Sequence, residues 1–545
     1  MRGAKSAKWV AGAAVVALAA TACGGNDKSG SGDNAGAAVN AKGVFSYQSS
    51  EPQHPLQPAN VMETGGGRIT DALFDGLADY DAKSGELHNL VADSIKQDDA
   101  SHYTITVKKG WTFHNGEAVT AKSFVDAWNW GANAKNAQQN ASWFADIEGY
   151  DQVHPEKGDP KAKTMSGLST PDDYTIKVTL ANPAPYWTYK LGYSAFEPLP
   201  KVFYTNPKKY GQEPIGNGPY QFVKWNHNKD LLTKTYAKYA GPDKPKNGGV
   251  DFKFYTTAEA AYQDTVSSNL DVLDQVAPSD MTKYHQDLGK RAVDAPQNAI
   301  QTIAVAEYAP TIKGLKDRGK FMQGISMAID RATITKTVLA GSRIPATGFV
   351  PPAVKGYIAD ACGDACKYNP AKAKQLIKES GGSNATVSVL YNADGGHKEW
   401  VTAVCANITQ NTGVKCQADS KADFKTALDV RTNKKVQSFY RSGWVQDYPL
   451  NANFLKDLYG STAAGNEGGY SNKEFDKLAG NADKAATLDE SVKLYQEAEK
   501  SLVKDMPAIP LWYYKTNAGY SANVKNVTYD TFGVPVFSDV QVVKK

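Results

Sequence analysis

A strand, a turn and an amphipathic helix are predicted by residues 103–128, whose sequence is YTITVKKGWTFHNGEAVTAKSFVDAW. Apolar and polar residues alternate at its start, as in a half-buried strand, and the apolar ones are Tyr103, Ile105 and Val107. Thr120 stands where the N-cap of a helix is expected. Three apolar residues then fall on one side of that helix: Phe124, Ala127 and Trp128. This segment is typical of an α/β protein.

Strand and helix patterns continue to alternate along the chain, which predicts the α/β fold class. A second alternating strand is predicted near residues 174–180. Asn369 and Pro370 mark the start of another helix. The clearest helix begins at the capping box of Thr487 and Glu490 and continues to about residue 503, with apolar residues at three-to-four spacing.

The size and charge of the chain predict several packed lobes and exclude a nucleic-acid binder. With 545 residues and 41% hydrophobic content, the chain exceeds what one core usually organises. The formal net charge is +4, and three of these charges belong to Arg2, Lys5 and Lys8 at the very start of the chain. The remaining chain is nearly balanced, so it lacks the basic field that binding to nucleic acid requires.

Residues 1–22 are predicted to be a lipoprotein signal peptide. A basic start is followed by an apolar run over residues 9–20, which is shorter than the ~20 residues of a membrane span. The sequence Ala-Thr-Ala-Cys at 20–23 resembles the bacterial lipobox, which implies a lipid on Cys23. Plain secretion with a free Cys23 is the alternative. Residues 23–41, rich in Gly, Ser, Asn and Ala, are predicted to be a flexible tether at the extracellular face of the cytoplasmic membrane.

The other four cysteines predict two local disulfides. Four cysteines allow three pairings, and the sequential one is favoured because its loops are short: Cys362 with Cys366, and Cys405 with Cys416. Disulfides agree with an oxidising extracellular location. A zinc site is the alternative, but neither pair has a nearby Cys-x-x-Cys or His-x-x-x-His partner. We therefore predict no metal and no cofactor.

Several motifs follow one another over most of residues 44–540. In chain order they are EP at 51–52, KGWTFHNG at 109–116, VTAKSF at 119–124, PIGNGPY at 214–220, GISMAIDR at 324–331, YNP at 368–370 and MPAIPL at 506–511. Together they resemble the family 5 extracellular solute-binding proteins, the oligopeptide and dipeptide receptors of ABC importers.

The resemblance implies a bilobal periplasmic-binding-protein-like fold of the class II type, with an inserted extra subdomain and a hinge-bending cleft. Lobe I is then formed by residues 42–74, 215–305 and 518–545. The inserted subdomain II covers 75–214, and lobe III covers 306–517. Closure around a guest, recognised by a membrane permease, is the implied mechanism, and the chain is expected to act as a monomer.

The segment RSGWVQDYP at 441–449 carries the most specific part of the resemblance. It matches the ligand-contacting stretch of oligopeptide receptors, which implies that Asp447 binds the α-ammonium group of a peptide. Physical chemistry supports that role, because enclosing an ammonium ion requires a counter-charge. The alternative is that Asp447 caps a turn before Pro449.

Three cations match family positions that meet the carboxylate of longer peptides: Arg441, Arg431 and His397. An arginine fork fits a carboxylate geometrically. The match of Arg431 needs a one-residue shift. For His397, a solvated loop histidine without a role is an equal alternative.

The peptide backbone is expected to pair as an added strand. The segments that resemble the pairing edges are Gly443, Trp444 and Val445 on one lobe and Met62, Glu63 and Thr64 on the other. The three glycines at 65–67 are predicted to be a flexible turn at the cleft edge, because no Gly-Lys-Ser/Thr of a phosphate loop follows. Trp444 and Phe424 either line side-chain pockets or belong to the core.

Two other kinds of function are alternatives to peptide capture. A secreted hydrolase is disfavoured, because Ser501 and Lys504 form a Ser-x-x-Lys pattern without its partner motif and Ser326 lacks the second glycine of a nucleophile elbow. Within the family, the guest is alternatively an oligosaccharide, a nickel or other metal complex, haem or a siderophore. Scattered histidines disfavour nickel, whereas Asp447 with Arg441 favours a zwitterion.

Overall fold

The computed structural model describes residues 38–422, 424–463 and 465–544. The signal peptide, Cys23 and most of the predicted tether lie outside these residues.

In chain order the strands are β1 (Val44–Ser49), β2 (Ala78–Tyr80), β3 (Leu87–Asn89), β4 (Ala92–Gln97), β5 (His102–Val107), β6 (Leu168–Asp172), β7 (Thr175–Thr179), β8 (Tyr220–Asn226), β9 (Asp230–Thr235), β10 (Gly249–Phe254), β11 (Val272–Leu273), β12 (Ala292–Val305), β13 (Arg343–Pro345), β14 (Thr386–Asn392), β15 (Lys415–Lys421), β16 (Phe439–Val445), β17 (Ala508–Tyr520), β18 (Val524–Lys525) and β19 (Gln541–Val542).

The α-helices are α1 (Thr64–Leu73), α2 (Ala121–Ala132), α3 (Tyr150–Val153), α4 (Trp187–Lys190), α5 (Pro207–Tyr210), α6 (Ala258–Val266), α7 (Tyr284–Leu288), α8 (Pro310–Lys313), α9 (Arg318–Met327), α10 (Arg331–Thr333), α11 (Pro370–Glu379), α12 (Lys398–Thr412), α13 (Phe424–Thr432), α14 (Asn451–Tyr459), α15 (Lys473–Asp483) and α16 (Leu488–Asp505). Within the described ranges, no helix combines the length and the apolar character that crossing a membrane requires.

A large mixed sheet forms the centre of the fold and confirms the α/β prediction. Its strands follow the order β15-β14-β16-β12-β17-β11-β1-β10-β9-β8, and β13 pairs with β17. The long strands β12 and β17 pair antiparallel in the middle. They connect the strands of predicted lobe I (β1 and β8 to β11) with those of predicted lobe III (β14 to β16).

The strands between residues 78 and 179 belong to separate small sheets. β4, β5, β7 and β6 form a four-stranded antiparallel sheet, and β2 pairs with β3. In the described part of the chain, none of these strands pairs with the large sheet. All of them fall inside the predicted insertion at 75–214, and the boundaries of that insertion and of the lobes remain predictions.

Local sequence signals fix the starts of the helices. The backbone N–H of Thr120 donates to Ser123 Oγ (3.1 Å) at the start of α2. Thr487 Oγ1 accepts a hydrogen bond from the N–H of Glu490 (3.2 Å) at the start of α16. Glu490 in turn accepts from the N–H of Ala486 (3.3 Å), one residue before the predicted partner. The predicted helix starts are therefore confirmed, with a small shift in one capping contact.

Both predicted disulfides are present. Cys362 bonds to Cys366, and Cys405 on α12 bonds to Cys416 on β15. The zinc alternative is therefore wrong, because the four sulfurs are paired with one another. Each bond joins segments that are already close in sequence, as the short loops predicted.

The prediction of a flexible turn at residues 65–67 is wrong. All three glycines lie in α1, which begins at Thr64. A Cβ on Gly65 would lie 2.4 Å from Ser50 Oγ, so this helix start approaches the end of β1 too closely for a side chain there. Three consecutive glycines suggested flexibility. In the folded chain, the missing side chain at Gly65 instead lets the start of α1 lie against Ser50.

The predicted tether ends earlier than residue 41. Val39 forms an antiparallel bridge with Val543, and the N–H of Asn40 donates to the carbonyl of Val542 (2.8 Å). The N–H of Lys544 donates to the carbonyl of Ala38 (2.8 Å). These residues are therefore joined to the C-terminal segment of the folded chain.

Candidate functional site

The open edge of β16 is the first feature of the candidate site. On one side β16 pairs antiparallel with β12, with Gly443 opposite Gln301 and Val445 opposite Ala299. On the other side β14 pairs only with Phe439 and Tyr440. From residue 441 to 445, this second edge has no strand partner in the part of the chain that the structure describes. Its main-chain groups are arranged for pairing with an added strand.

Asp447 lies just beyond β16 and is held by one asparagine. The N–H of Asp447 donates to Asn453 Oδ1 (2.9 Å), and Asn453 Nδ2 donates to Asp447 Oδ2 (3.0 Å). Asn453, on the first turn of α14, also accepts from Trp444 Nε1 (3.1 Å) and donates to Asp457 Oδ2 (3.0 Å). The carboxylate is therefore fixed in one orientation. It accepts no backbone N–H from any described residue, so the turn-capping alternative is wrong.

Asp447 lacks a counter-charge. Across the described residues it forms no ion pair, and Lys190, whose charge acts on it, is itself paired with Asp146 (2.5 Å). Burial raises the pKa of Asp447 to about 6, the hydrogen bond from Asn453 lowers it, and the charge of Asp457 raises it further. A half-buried carboxylate in this condition favours any guest that brings a positive charge.

Two aromatic side chains from the predicted insertion lie near Asp447 and its neighbour Tyr448. Trp143 stacks on Tyr193 with ring centres 3.7 Å apart and meets the edge of Tyr448 at 6.4 Å. Burial first and the charge of Asp447 second raise the pKa of Tyr193. Asp447 is therefore enclosed by residues from more than one predicted lobe. Sequence reasoning missed Trp143, Tyr193 and Lys190, because no local pattern links them to a segment about 250 to 300 residues away.

The three predicted cations have different surroundings. Arg431 on α13 pairs with Glu467 (2.5 Å) and lies over the ring of Tyr440 (4.9 Å). Arg441 on β16 forms no ion pair with a described residue, and its buried Nε has no hydrogen-bond partner among them. His397 is buried, and its Nδ1 accepts from Trp400 Nε1 (3.1 Å). The alternative of a solvated loop histidine is therefore wrong.

The two predicted pocket residues differ in exposure, and Trp444 packs against the main hydrophobic core. Phe424 begins α13 with 45% of its surface exposed, and Trp444 is half-buried. Gly443 and Trp444 line a cavity of about 30 Å³ between β16 and α14. Whether a guest's side chain enters it remains a prediction.

The second predicted pairing edge does not form a strand in the structure. Met62 is 62% exposed, Glu63 occupies the N-cap position of α1, and Thr64 is its first residue. Glu63 Oε1 accepts from the N–H of Gln53 (2.9 Å) rather than capping the helix. Glu63 and Val61 have an extended backbone, whereas Pro58–Asn60 form a short 3-10 helix and Thr64 already belongs to α1.

The described residues offer no metal centre. Across residues 38–422, 424–463 and 465–544, no group of three or more His, Cys, Asp or Glu side chains is arranged to hold a metal ion. The arrangement at Asp447 has instead the properties of a binding site: one fixed anion, aromatic walls and an open strand edge.

Known proteins resemble this chain over most of its length. The family model described as "Bacterial extracellular solute-binding proteins, family 5 Middle" matches residues 86–466. The oligopeptide-binding protein OppA of Bacillus subtilis (strain 168) is 25% identical over 532 residues, which cover 94% of this chain and 95% of OppA. The periplasmic murein peptide-binding protein MppA of Escherichia coli (strain K12) is 26% identical over 468 residues, covering 84% and 85%.

Solved structures share the fold. The Escherichia coli murein tripeptide binding protein MppA superposes with a TM-score of 0.76 at 23% identity, covering 93% of this chain and 100% of MppA. Haemophilus influenzae OppA in complex with RPPGFSPFR gives a TM-score of 0.74 at 21% identity, with coverage of 93% and 100%. The family consists of substrate-binding proteins, so the hydrolase alternative is wrong. The chain belongs to the bacterial extracellular solute-binding proteins of family 5.

Proposed function

We propose that this protein captures short peptides at the open edge of β16 and delivers them to the permease of an ABC importer. The observation that carries the proposal is the carboxylate of Asp447, which is half-buried and fixed by Asn453 and has no counter-charge among the described residues. The α-ammonium group of a peptide supplies that charge. The names of the relatives, oligopeptide-binding and murein peptide-binding proteins, support the same class of guest.

The positions of Asp447 and Arg441, neither of which has an ion-pair partner among the described residues, suggest how a peptide lies in the site. Arg441 and Asp447 are six residues apart, which on an extended chain is at most about 20 Å. A peptide whose amino end meets Asp447 runs antiparallel to β16 toward Arg441. Such a span suits a peptide of about five or six residues, whereas a dipeptide reaches only Asp447. Arg441 is the better candidate for the far carboxylate because Arg431 is already paired.

Domain closure completes the proposed mechanism. Lobe I (42–74, 215–305, 518–545) and lobe III (306–517) are joined through β12 and β17, near whose ends the proposed boundaries at 305 and 518 fall. We assign the hinge to these crossings. Subdomain II (75–214) supplies Trp143 and Tyr193, so closure encloses the ammonium end. The permease then recognises the closed form.

We infer the location of the protein from the lipobox-like sequence at residues 20–23. A diacylglyceryl group on Cys23 anchors the protein at the extracellular face of the cytoplasmic membrane, and the tether keeps the monomer mobile. Metabolic labelling with a clickable fatty acid tests the anchor. Label on the wild type and none on Cys23→Ala is expected, and label on both variants contradicts it.

Native mass spectrometry of the purified protein tests the class of guest. Bound masses that form a heterogeneous set of short peptides are the expected result. A single sugar, a metal complex, haem or a siderophore as the bound species contradicts the proposal and favours another guest of the family. Free-amine and N-acetylated forms of one peptide then test the role of Asp447. Only the free amine carries a positive charge that can compensate this carboxylate.

A further inference from the structure

Tyr186 connects the predicted subdomain II with the predicted lobe III. It stands directly before α4 and is only 4% exposed. Its ring stacks parallel on that of Tyr448, with the ring centres 6.3 Å apart, and meets the edge of Tyr495 at 6.5 Å. Both partners belong to the predicted lobe III and are buried. An aromatic side chain of the insertion is therefore packed against aromatic side chains of another lobe.

The hydroxyl of Tyr186 also has a charged partner in lobe III. Lys456 Nζ donates to Tyr186 Oη (2.8 Å), and the same ammonium group pairs with Asp483 (2.7 Å). Burial first and the charge of Asp483 second raise the pKa of Tyr186 well above its ordinary value, so its hydroxyl stays protonated. A hydrogen bond from a charged donor is stronger than one between neutral groups. The contact therefore has a polar component as well as an aromatic one.

The residues of lobe III that contact Tyr186 form a socket, and they come from separate elements. They are Tyr448 after β16, Lys456 on α14, Asp483 at the end of α15 and Tyr495 on α16. Within lobe III, Lys456 pairs with Asp483, and Tyr495 Oη donates to the same carboxylate. The charged members of the socket therefore keep partners of their own when Tyr186 leaves. Separation of such a contact leaves no uncompensated buried charge behind.

The socket adjoins the proposed guest anchor. Tyr448 directly follows Asp447, and its Oη donates to Asp457 Oδ2 (2.9 Å). Asp457 also accepts from Asn453, the residue that holds the carboxylate of Asp447. The socket and the residues that fix Asp447 are thus joined by hydrogen bonds. Because the two are adjacent, a closure that places Tyr186 in the socket also brings subdomain II close to Asp447.

We propose that Tyr186 is a latch, which enters the socket when the lobes close around a guest and leaves it when they open. The inference rests on the proposed function and adds a positioning residue to it. A contact that forms only in the closed state raises the affinity of every guest by the same factor, because the guest and the contact favour the same state. The socket covers nearly all of Tyr186, so little of its surface is left for a guest. Tyr186 differs in this from Asp447 and Arg441, which are proposed to bind the two ends of the guest.

Isothermal titration calorimetry of latch variants tests the inference, with a dipeptide and a hexapeptide as probes. Tyr186→Phe removes the hydroxyl and keeps the ring, and Lys456→Met removes the charged partner of that hydroxyl. Each variant is expected to bind both peptides about tenfold more weakly, because a hydrogen bond to a charged group is lost from the closed state. The double variant is expected to lose no more than either single one, since both changes remove the same contact. A contact that is equally present with and without a guest cancels from the affinity, so a merely structural role leaves the affinity unchanged.

Tyr204→Phe is the matched control. Tyr204 lies in the same predicted subdomain, and its hydroxyl has no hydrogen-bond partner among the described residues. This variant is expected to bind both peptides as the wild type does. The side chain of Lys456 is partly exposed, so Lys456→Met remains informative if Tyr186→Phe does not fold.

The outcomes separate the latch from the proposed function. Unchanged affinity in both single variants contradicts the latch alone. A loss of about a hundredfold in the double variant, the product of two independent effects, contradicts the pairing of Tyr186 with Lys456. A loss confined to one peptide length places Tyr186 against the guest and also contradicts the latch. Failure of the wild type to bind any peptide contradicts the proposed function itself. The same variants are then titrated with the guest that native mass spectrometry identifies, for which a loss of about tenfold is again expected.

Discussion

The acidic and basic ends of the candidate site differ in how their charges are compensated. Asp447 is fixed by a neutral amide and has no ion pair among the described residues, whereas Arg431 on α13 is paired with Glu467. Both positions match the family pattern in sequence, although the match of Arg431 needs a one-residue shift. A charged residue that matches the family pattern therefore becomes a binding group only if the fold leaves its charge uncompensated. An ion already paired inside the protein gains little from a second partner.

The largest expected effect comes from removing the acidic end. Asp447→Asn keeps the hydrogen-bonding shape but removes the charge that faces the guest's ammonium group. We expect a loss of about 2 to 5 kcal/mol in peptide affinity, measured by isothermal titration calorimetry. Asp457→Asn is the matched control. Asp457 accepts a hydrogen bond from the same Asn453, but it lies on α14, four residues after Asn453. Equal losses for the two variants contradict the anchoring role of Asp447.

A smaller effect is expected at the basic end, and it depends on peptide length. Arg441→Gln removes a donor, Nε, that has no hydrogen-bond partner among the residues that the structure describes, so penta- and hexapeptides are expected to lose about 1.5 kcal/mol. Dipeptides anchored at Asp447 do not reach Arg441 and bind unchanged. Arg431→Gln serves as the comparison, since this arginine is engaged by Glu467. A larger loss for Arg431→Gln than for Arg441→Gln reverses the assignment of the two arginines.

The smallest effect concerns the stability of the empty protein. The folded-state pKa of Asp447 is raised from 3.8 to about 6, so the folded state holds the proton more tightly than the unfolded state. The contribution of this group to stability therefore falls as pH rises from about 4 to about 6 and stays low above that. Solvent contact limits the change to about 1 kcal/mol.

Urea denaturation at pH 4 and pH 7.5 measures this contribution. Asp447→Asn is expected to be more stable than the wild type at pH 7.5 and equal to it at pH 4. Peptide affinity changes in the opposite direction, because it requires the ionised carboxylate and weakens below about pH 6. A variant that is less stable than the wild type at pH 7.5 shows that Asp447 is already compensated in the empty protein.

Sequence reasoning succeeded where the relevant contacts are local. Thr120 and Thr487 start helices because a side chain and a backbone N–H three residues apart meet within one turn. The disulfides were predictable for the same reason, since each closes a short loop. The position of Asp447 after β16 also followed from its motif.

Sequence reasoning failed where a residue's role depends on distant partners. The glycines at 65–67 read as a flexible turn, but Gly65 lies against Ser50 and α1 begins there. His397 is a different kind of failure, because its partner Trp400 lies only three residues away and the loop-like sequence hid the helix start that brings them together. Nothing near Arg431 in sequence indicated that Glu467, 36 residues later, would neutralise it.

Periodicity, capping and motif spacing are short-range properties of the chain, so they were enough to predict the fold class, the family, the local disulfides and the candidate anion at 447. The folded structure was needed to show which charges remain uncompensated. Charge compensation and enclosure depend on distances between segments such as β16, α14 and subdomain II. Folding sets those distances through the packing of the whole core, which no single stretch of sequence encodes.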